Sequence, residues 1–178
     1  LLIEQGKQAG ISVFSAPRVN HDGQPVSSTR IRSLVEDGDI AQANALLGYR
    51  YFSEGVIQGG KKLGRTIGFP TLNLPWNPEL RPRLGVYTVR IRSTTQPQAE
   101  WLPGVANYGL RPTVETAREP RLEVHVLGPC GLGQGDPVIV EWLSFLRPEQ
   151  TFPNLDALRT QIAIDRVQAE RYFSAATG

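Results

Sequence analysis

The stretch with the clearest potential for chemistry covers residues 58–65, which read QGGKKLGR. Glycines let backbone amides approach a phosphate closely and lysines add mobile positive charge, so the stretch predicts a phosphate-binding turn. Gly55, Gly60 and Lys61 match the P-loop spacing G-x-x-x-x-G-K, but Lys62 stands where that motif has Ser or Thr. The alternative is an ordinary hairpin turn between two strands.

A second candidate is the sequence FPTLN, which follows the glycine-lysine turn. Pro70 holds the backbone extended, so Thr71 and Asn73 should point to one face of a strand and Leu72 to the other. Mg²⁺ takes only one or two protein oxygens and otherwise binds water and phosphate, so a Thr/Asn pair beside this turn is sufficient to hold it. Alternatively, both side chains only satisfy backbone groups near the turn at Pro75.

A third candidate lies in RLEVHVL, where Leu122 and Val124 alternate with Glu123 and His125. The alternation puts the two titratable side chains on the face opposite the apolar ones. Phosphoryl transfer uses a base near the attacking hydroxyl, and Glu123 is the candidate because it interrupts an apolar run. The alternative is a solvent-facing strand carboxylate. We interpret His125 as structural, because no nucleophile or second metal ligand is near it in the sequence.

The composition restricts the classes of function. The 178 residues include 19 Lys and Arg against 17 Asp and Glu, so the formal charge is only +2 and any basic site is local. Residues 58–92 are such a region, with seven basic residues and one acidic residue. Cys130, the single cysteine, cannot form an internal disulfide, and we find neither a bilayer-spanning stretch nor a signal peptide, which predicts a cytoplasmic location. Because the sequence contains no methionine, we expect it to be part of a longer protein.

The patterns of secondary structure place the candidate side chains on a small β-fold. Four segments rich in branched and aromatic residues predict antiparallel strands of a barrel: YFSEGVIQ, GVYTVRIR, RLEVHVL and VIVEWLSFL. Arg90 and Arg92 alternate with apolar residues in one of them, so we expect both to face water. Upstream, ISVFSAP predicts a short buried strand ending at Pro17, and VNHDGQPV predicts a turn.

Three helices are expected around these strands. We expect Ser28 or Thr29 to cap the first helix and Gly38 to end it. Asp39 should cap the second helix and Gly48 should end it, and Asn154 should cap the last helix. Leu155, Leu158 and Ile162 repeat at helical spacing in the last helix. We therefore expect that helix to pack its apolar face over the barrel.

Five motifs, in order, carry a resemblance to a known family: GGKKLGRTIGFPTLNL, GVYTV, GVANYGLRPTVE, RLEVHVL and FLRPEQTFPNLDALRTQIAID. Together they resemble the riboflavin kinase module of the bacterial bifunctional riboflavin kinase/FAD synthetase family. The upstream VSSTRIRSLVEDGDIAQANALLGYRY resembles the end of that family's FMN adenylyltransferase domain. The resemblance implies an adenylyltransferase remnant with linker helices over residues 1–49 and a kinase domain over residues 50–178.

The fold implied by the resemblance is mainly β. It is a six-stranded antiparallel Greek-key barrel with a C-terminal helix, preceded by a short α/β remnant of a nucleotidyltransferase domain. The implied activity is transfer of the ATP γ-phosphate to riboflavin with Mg²⁺, which yields FMN and ADP as a step of FAD biosynthesis. The resemblance therefore implies a flavin-binding, nucleotide-binding kinase, with neither nucleic acid nor a membrane expected as partner.

The resemblance also implies roles for individual residues. Those expected to contact ATP are Gly60, Lys62, Gly64, Arg65, Thr71 and Asn73. Thr71 and Asn73 match a P-T-x-N motif that holds Mg²⁺ as well, and Glu123 matches the catalytic glutamate. The segment that grips the triphosphate for adenylyl transfer falls on Ser27, Ser28, Thr29 and Arg32.

The sequence departs from the family pattern in two places. The H-x-G-H-type motif that completes the adenylyltransferase site does not occur in the 178 residues, so that site is incomplete in this chain. After Leu127, GPCGLGQGDP replaces the usual acidic and tyrosine-containing loop, which puts any contact made by that loop in doubt.

A competing hypothesis is a non-catalytic barrel that binds single-stranded nucleic acid. Such barrels carry aromatic side chains on a basic face and bind with strong salt dependence. Here Phe69, Tyr87 and Trp101 are scattered and do not alternate with basic residues, which favours the kinase.

Overall fold

The structure, a computed structural model, describes residues 1–14, 17–60, 64, 67–96, 98–110 and 120–176. Over these residues the helices α1 to α4 are Leu2–Gln8, Ser28–Asp37, Ile40–Leu47 and Leu155–Ala176. The strands β1 to β8 are Asn20–His21, Gln24–Pro25, Phe52–Val56, Leu72–Pro75, Gly85–Ser93, Leu102–Leu110, Pro120–Val126 and Pro137–Pro148. The first two strands form a separate hairpin, and the other six form one sheet.

The six-stranded sheet is antiparallel and nearly closes into a barrel. Its strand order is β3-β8-β5-β6-β7-β4, and an isolated bridge between Gln58 and Asn73 joins the chain after β3 to β4 at the opposite edge. The twelve-residue β8 pairs with both β3 and β5, and its pairing with β5 shifts register twice, after Val86 and after Thr88. Such bulges increase the local twist that closure needs. The barrel and its C-terminal helix confirm the predicted fold class.

Two barrel strands were not among the four segments rich in branched and aromatic residues, although the interpretation of FPTLN already placed Leu72 and Asn73, the start of β4, on a strand. Strand β4 has only four residues, and β6 reads LPGVANYGL, so a proline and two glycines lower its strand propensity. Pairing with neighbouring strands stabilises both of them: β4 pairs with β7, and β6 pairs with β5 and β7. The local sequence pattern does not reveal this pairing.

Aromatic side chains fill the barrel interior. Trp142, Tyr87 and Tyr108 are fully buried, and the ring of Trp142 contacts both tyrosine rings edge-on, with centroids 4.7 and 5.6 Å apart. The indole N–H of Trp142 donates to Ser53 Oγ at 3.1 Å, and the hydroxyl of Tyr51 donates to the Leu80 carbonyl at 3.0 Å. These bonds satisfy polar tips that burial would otherwise leave without water.

Helices α2 and α3 pack on the barrel. Ser27 caps α2, one residue before the expected cap, and Asp39 caps α3 as predicted. Gly38 and Gly48 end the two helices with φ of 85° and 76°, the left-handed conformation that glycine adopts most easily. Asn44 of α3 donates to the Trp142 carbonyl at 2.9 Å and fixes the helix to β8.

The segment before α2 differs from its prediction. The expected strand ISVFSAP does not form over its described residues, and Ile11 and Phe14 are 62% and 91% exposed. No strand among the described residues lies beside Ile11 to pair with it, and its amide instead donates to the Gly6 carbonyl at the end of α1. The predicted turn is present as the hairpin of β1 and β2, with Asp22 and Gly23 at positive φ.

Helix α4 lies over the barrel beside β5 and β6. Asn154 begins it as predicted, with its side-chain oxygen accepting from the Ala157 amide at 2.8 Å. Ala169 is fully buried against Val86 and Val105, whereas Leu155, expected on the packed face, is 54% exposed because it lies in the first turn. Within the described ranges, no helix combines the length and the apolar character that crossing a bilayer requires.

Candidate functional site

One row of side chains crosses the outer face of the barrel under α4. Pairing in register puts Asn73 beside Glu123, Glu123 beside Asn107, Asn107 beside Val86, and Val86 beside Arg147. All five line one pocket of about 370 Å³. The alternation along β7 therefore predicted the face of Glu123 correctly, since Leu122 and Val124 are fully buried in the core behind it.

We call this whole cavity the flavin-sized pocket. Other segments form the rest of its lining. They contribute Gly64, Ile67, Phe69 and Thr71 before β4, Val105 and His125 on the sheet, Glu149, Gln150 and Phe152 after β8, and Leu158, Ile162, Asp165 and Arg166 from α4. Most of these walls are apolar, while the row on the sheet offers amide and carboxylate groups. Such a cavity suits an organic ligand with an apolar body and polar substituents.

A second cavity of about 290 Å³ lies on the other side of the start of β4. Glycines form much of its wall; its described lining is Ile57, Gln58, Gly59, Gly60, Pro70, Thr71, Leu72, Asn73, Leu132, Gly133 and Gln134. We call it the glycine-lined cavity. Thr71 and Asn73 line both cavities, so these two side chains lie where a ligand in one would meet a ligand in the other.

The geometry at Asn73 fits a cation ligand. The side chain is 8% exposed, and its Oδ1 has no hydrogen-bond partner among the described residues, although its Nδ2 donates to the Thr71 carbonyl at 3.4 Å. A buried amide oxygen without a donor is costly unless a ligand supplies one or a cation takes its place. Leu72, as the alternation predicted, packs against the barrel core.

Two glycines of the predicted turn, Gly60 and Gly64, lie directly against Asn73 and Thr71. A methyl group added at Gly60 would overlap the side-chain amide of Asn73, and one at Gly64 would overlap the Phe69 carbonyl. The absence of a side chain at Gly60 therefore allows the backbone to approach Asn73. Lys62 and Arg65, the cations expected to contact ATP, lie outside the described residues.

His125 makes the kind of contact expected of a structural residue, and its Nε2 is buried in the wall of the flavin-sized pocket without a hydrogen-bond partner among the described residues. Its Nδ1 lies 2.8 Å from the Pro70 carbonyl, which can only accept a hydrogen bond, so Nδ1 carries a proton and donates it there. The ring also packs edge-on against Phe69, with centroids 5.4 Å apart. His125 thereby fixes the residue that precedes Thr71.

A cluster of three or more His, Cys, Asp or Glu side chains able to hold a metal is not found in the described part of the chain.

The sequence analysis missed several polar residues of the flavin-sized pocket, among them Asn107, Arg147, Glu149 and Asp165. Asp165 is 2% exposed and forms an ion pair with Arg147 at 2.7 Å. One sequence signal could have indicated Asp165, because Leu158, Ile162 and Asp165 share a helix face and a buried acid there requires a partner.

The carboxyl group of Glu149 lies in a less solvated environment. Burial raises its pKa, against the opposing effects of the hydrogen bond from the Leu110 amide and of the nearby charge of Arg147.

The predicted adenylyltransferase segment lies away from both cavities. Ser27, Ser28, Thr29 and Arg32 are exposed at the start of α2, and Ser27 Oγ accepts from the Arg30 amide at 3.2 Å. None of these four residues lines either cavity. The divergent loop after Leu127, by contrast, contributes Leu132, Gly133 and Gln134 to the glycine-lined cavity.

Comparison with known proteins shows the family to which the chain is similar. Residues 47–173 match the riboflavin kinase (Flavokinase) family. The bifunctional riboflavin kinase/FMN adenylyltransferase of Escherichia coli K12 is 38% identical over 173 residues, which cover 97% of this chain and 54% of that protein. The protein of the same description from Bacillus subtilis is 36% identical over 160 residues, 88% of this chain and 49% of that one.

A solved structure described as a macrolide-efflux protein from Streptococcus pneumoniae superposes with a TM-score of 0.81 at 31% identity. The superposition covers 94% of this chain and 54% of that one. The chain thus spans about half the length of the relatives that it matches. The family match extends over more than two thirds of the chain and includes all six barrel strands and most of α4, and on that ground the chain belongs to the riboflavin kinase family.

Proposed function

We propose that this chain transfers the γ-phosphate of ATP to the terminal ribityl hydroxyl of riboflavin, yielding FMN and ADP. The observation that carries the proposal is the position of Thr71 and Asn73 between two cavities of different character. ATP would occupy the glycine-lined cavity and riboflavin the flavin-sized pocket. A phosphoryl group passing from one ligand to the other would then cross at Thr71 and Asn73.

Mg²⁺ is the cofactor that this arrangement fits. The buried, unpartnered Asn73 Oδ1 and the neighbouring Thr71 hydroxyl would hold it, and Gly60 leaves room for phosphate beside them. When bound, the ion would neutralise charge on the transferring phosphoryl group. Gly64, and by the family resemblance Lys62 and Arg65, would complete the contacts to ATP.

Glu123 is the proposed base. It lines the flavin-sized pocket directly beside Asn73 in the register of β7 and β4, so its carboxylate faces the same space as the proposed metal ligand. The hydroxyl oxygen forms a bond to the γ-phosphorus while the bond to the ADP oxygen breaks, and the hydroxyl proton passes to the Glu123 carboxylate. A positioned base of this kind contributes about 10²- to 10⁴-fold.

The upstream segment supports a division of the activities. We propose that residues 1–49 belong to an adenylyltransferase domain and residues 50–178 to the kinase domain. The whole protein would also make FAD, as the descriptions of its relatives indicate. Ser27, Ser28, Thr29 and Arg32 would serve that second site together with residues outside this sequence. A cytoplasmic location stays a prediction.

The nucleic-acid-binding alternative gains no support from the basic strands. Arg90 pairs with Glu141 at 2.6 Å, and the guanidinium groups of Arg90 and Arg92 lie 4.6 and 4.4 Å from the centre of the Trp101 ring. The aromatic ring in this basic region is therefore stacked with arginine, and the acid partner neutralises part of the charge.

The proposal is tested by incubating the purified chain with riboflavin, ATP and Mg²⁺ and separating the products. We expect FMN and ADP in equal amounts, and none when Mg²⁺ is removed by a chelator. Release of ADP without FMN, or tight binding of single-stranded nucleic acid without turnover, would contradict the proposal.

A further inference from the structure

The side chain of Glu149 is held in the flavin-sized pocket by contacts to β6, and the proposed transfer step does not use it. It follows β8 immediately, and its carboxyl lies over the backbone of Gly109 on β6, where an added methyl group would overlap Oε1. The backbone amide of Leu110 donates a hydrogen bond to this carboxylate. One side of the carboxylate is thus anchored on β6, and the residue lines the pocket.

Asn107 continues this polar surface toward the proposed base. It lies two residues before Gly109 on β6, so positions 107 and 109 face the same side of the strand. Asn107 is exposed in the pocket and pairs in register with Glu123, a distance of about 5 Å between Cβ atoms in antiparallel neighbours. Glu123, Asn107 and Glu149 therefore form a continuous polar strip across one side of the pocket.

The remaining walls near this strip are apolar, with Phe69, Val105, Phe152 and Ile162 among them. Riboflavin has the matching division: a large ring system, and a ribityl chain with three secondary hydroxyls before its terminal one. If the terminal hydroxyl lies at Glu123, the secondary hydroxyls extend from there, within reach of the other two members of the strip.

We propose that Asn107 and Glu149 bind the secondary hydroxyls of the ribityl chain and so select a polyol substituent on the ring. This inference rests on the proposed function. The Glu149 carboxylate accepts hydrogen bonds from hydroxyls, while the Asn107 amide can both donate and accept. A site built to bind hydroxyls discriminates strongly against an analogue that lacks them, because its polar groups are then left unpaired.

The test uses a flavin with the same ring and the same terminal alcohol but no secondary hydroxyls, 7,8-dimethyl-10-(5-hydroxypentyl)isoalloxazine. Dissociation constants for riboflavin and this analogue are measured by flavin fluorescence for the parent chain, Glu149→Ala, Glu149→Gln and Asn107→Ala. Glu54→Ala is the matched control, since Glu54 is an exposed strand carboxylate that lines neither cavity.

We expect the parent to bind riboflavin at least 100-fold more tightly than the analogue, in line with the loss of several hydrogen bonds to Asn107 and Glu149, which are exposed in the free protein and would be covered by the bound flavin. Glu149→Ala should reduce this preference about tenfold or more by weakening riboflavin binding alone, Glu149→Gln should reduce it less, and Glu54→Ala should not change it. Equal binding of the two flavins by the parent, or an equal loss for both in Glu149→Ala, would overturn the inference.

Turnover separates this inference from the proposed function. A parent chain that phosphorylates riboflavin but shows no preference leaves the kinase proposal intact and removes the role of the polar strip. A parent chain that binds neither flavin would overturn both.

Discussion

Replacing Asp165 by Asn tests whether the ion pair beneath α4 holds that helix against the barrel. Asp165 is 2% exposed and accepts hydrogen bonds from Arg147 Nε at 2.8 Å and from Arg147 Nη2 at 2.7 Å. Gln161 Nε2 also donates to Asp165 Oδ1, at 2.9 Å. Asparagine keeps the shape but leaves a guanidinium that is 14% exposed beside a neutral amide. Removing one member of a buried ion pair costs about 3–5 kcal/mol.

Urea unfolding measures this loss. With a denaturant dependence of roughly 2 kcal/mol per molar urea, the midpoint should fall by roughly 2 M. The same substitution should raise the KM for riboflavin more than the KM for ATP, because α4 forms a wall of the flavin-sized pocket and lines no part of the glycine-lined cavity.

The matched control is Glu170→Gln on the same helix. Glu170 pairs with Arg166 at 2.8 Å, but the two side chains are 45% and 48% exposed, and an exposed pair four residues apart contributes only about 0.3–0.5 kcal/mol. If Asp165→Asn and Glu170→Gln shifted the urea midpoint equally, the buried pair would not be what fixes α4.

Three further predictions concern the proposed active site and the upstream segment. Thr71→Ala should raise the KM for Mg-ATP with little loss of stability. Leu72→Ala should instead lower the free energy of unfolding by about 2 kcal/mol, the low end of the range because this leucine is only half-buried. The reverse pattern in kinetics and urea unfolding would mean that the faces of β4 are misassigned. Gly60→Ala should raise the KM for ATP roughly tenfold, because the added methyl group would displace the Asn73 amide; an unchanged KM would show that the close approach is not needed. The chain should form FMN but no FAD from FMN and ATP in a chromatographic assay, and FAD formed by a preparation free of full-length enzyme would refute the incompleteness of that site.

The features that the sequence predicted well depend on local physical chemistry. Asp39, Gly48 and Asn154 mark helix boundaries because a cap needs only the backbone of its own turn. The faces of Thr71, Leu72 and Glu123 follow from the two-residue period of a strand. These assignments need no knowledge of the tertiary structure.

The features that were missed depend on pairing between distant segments. Asn107 becomes a site residue only because the register of β6 and β7 places it beside Glu123. Arg147 and Asp165 are partners only because α4 lies over the sheet with Asp165 within reach of the end of β8. The pattern ISVFSAP does not become a strand because strand pairing is absent for its described residues. Register and packing are set by the whole sheet, so a single segment does not reveal them.

The most direct test of Glu123 as the base of a riboflavin kinase is the turnover rate of Glu123→Gln, measured as FMN formed at saturating riboflavin and Mg-ATP. Glutamine keeps the shape and loses the basicity, so kcat should fall by roughly 10² to 10⁴. KM and the dissociation constant for Mg-ATP should stay nearly unchanged, because the proton is taken up only as the transition state forms. A glutamine variant that makes FMN at close to the parent rate would contradict the assignment and return Glu123 to the role of a strand carboxylate.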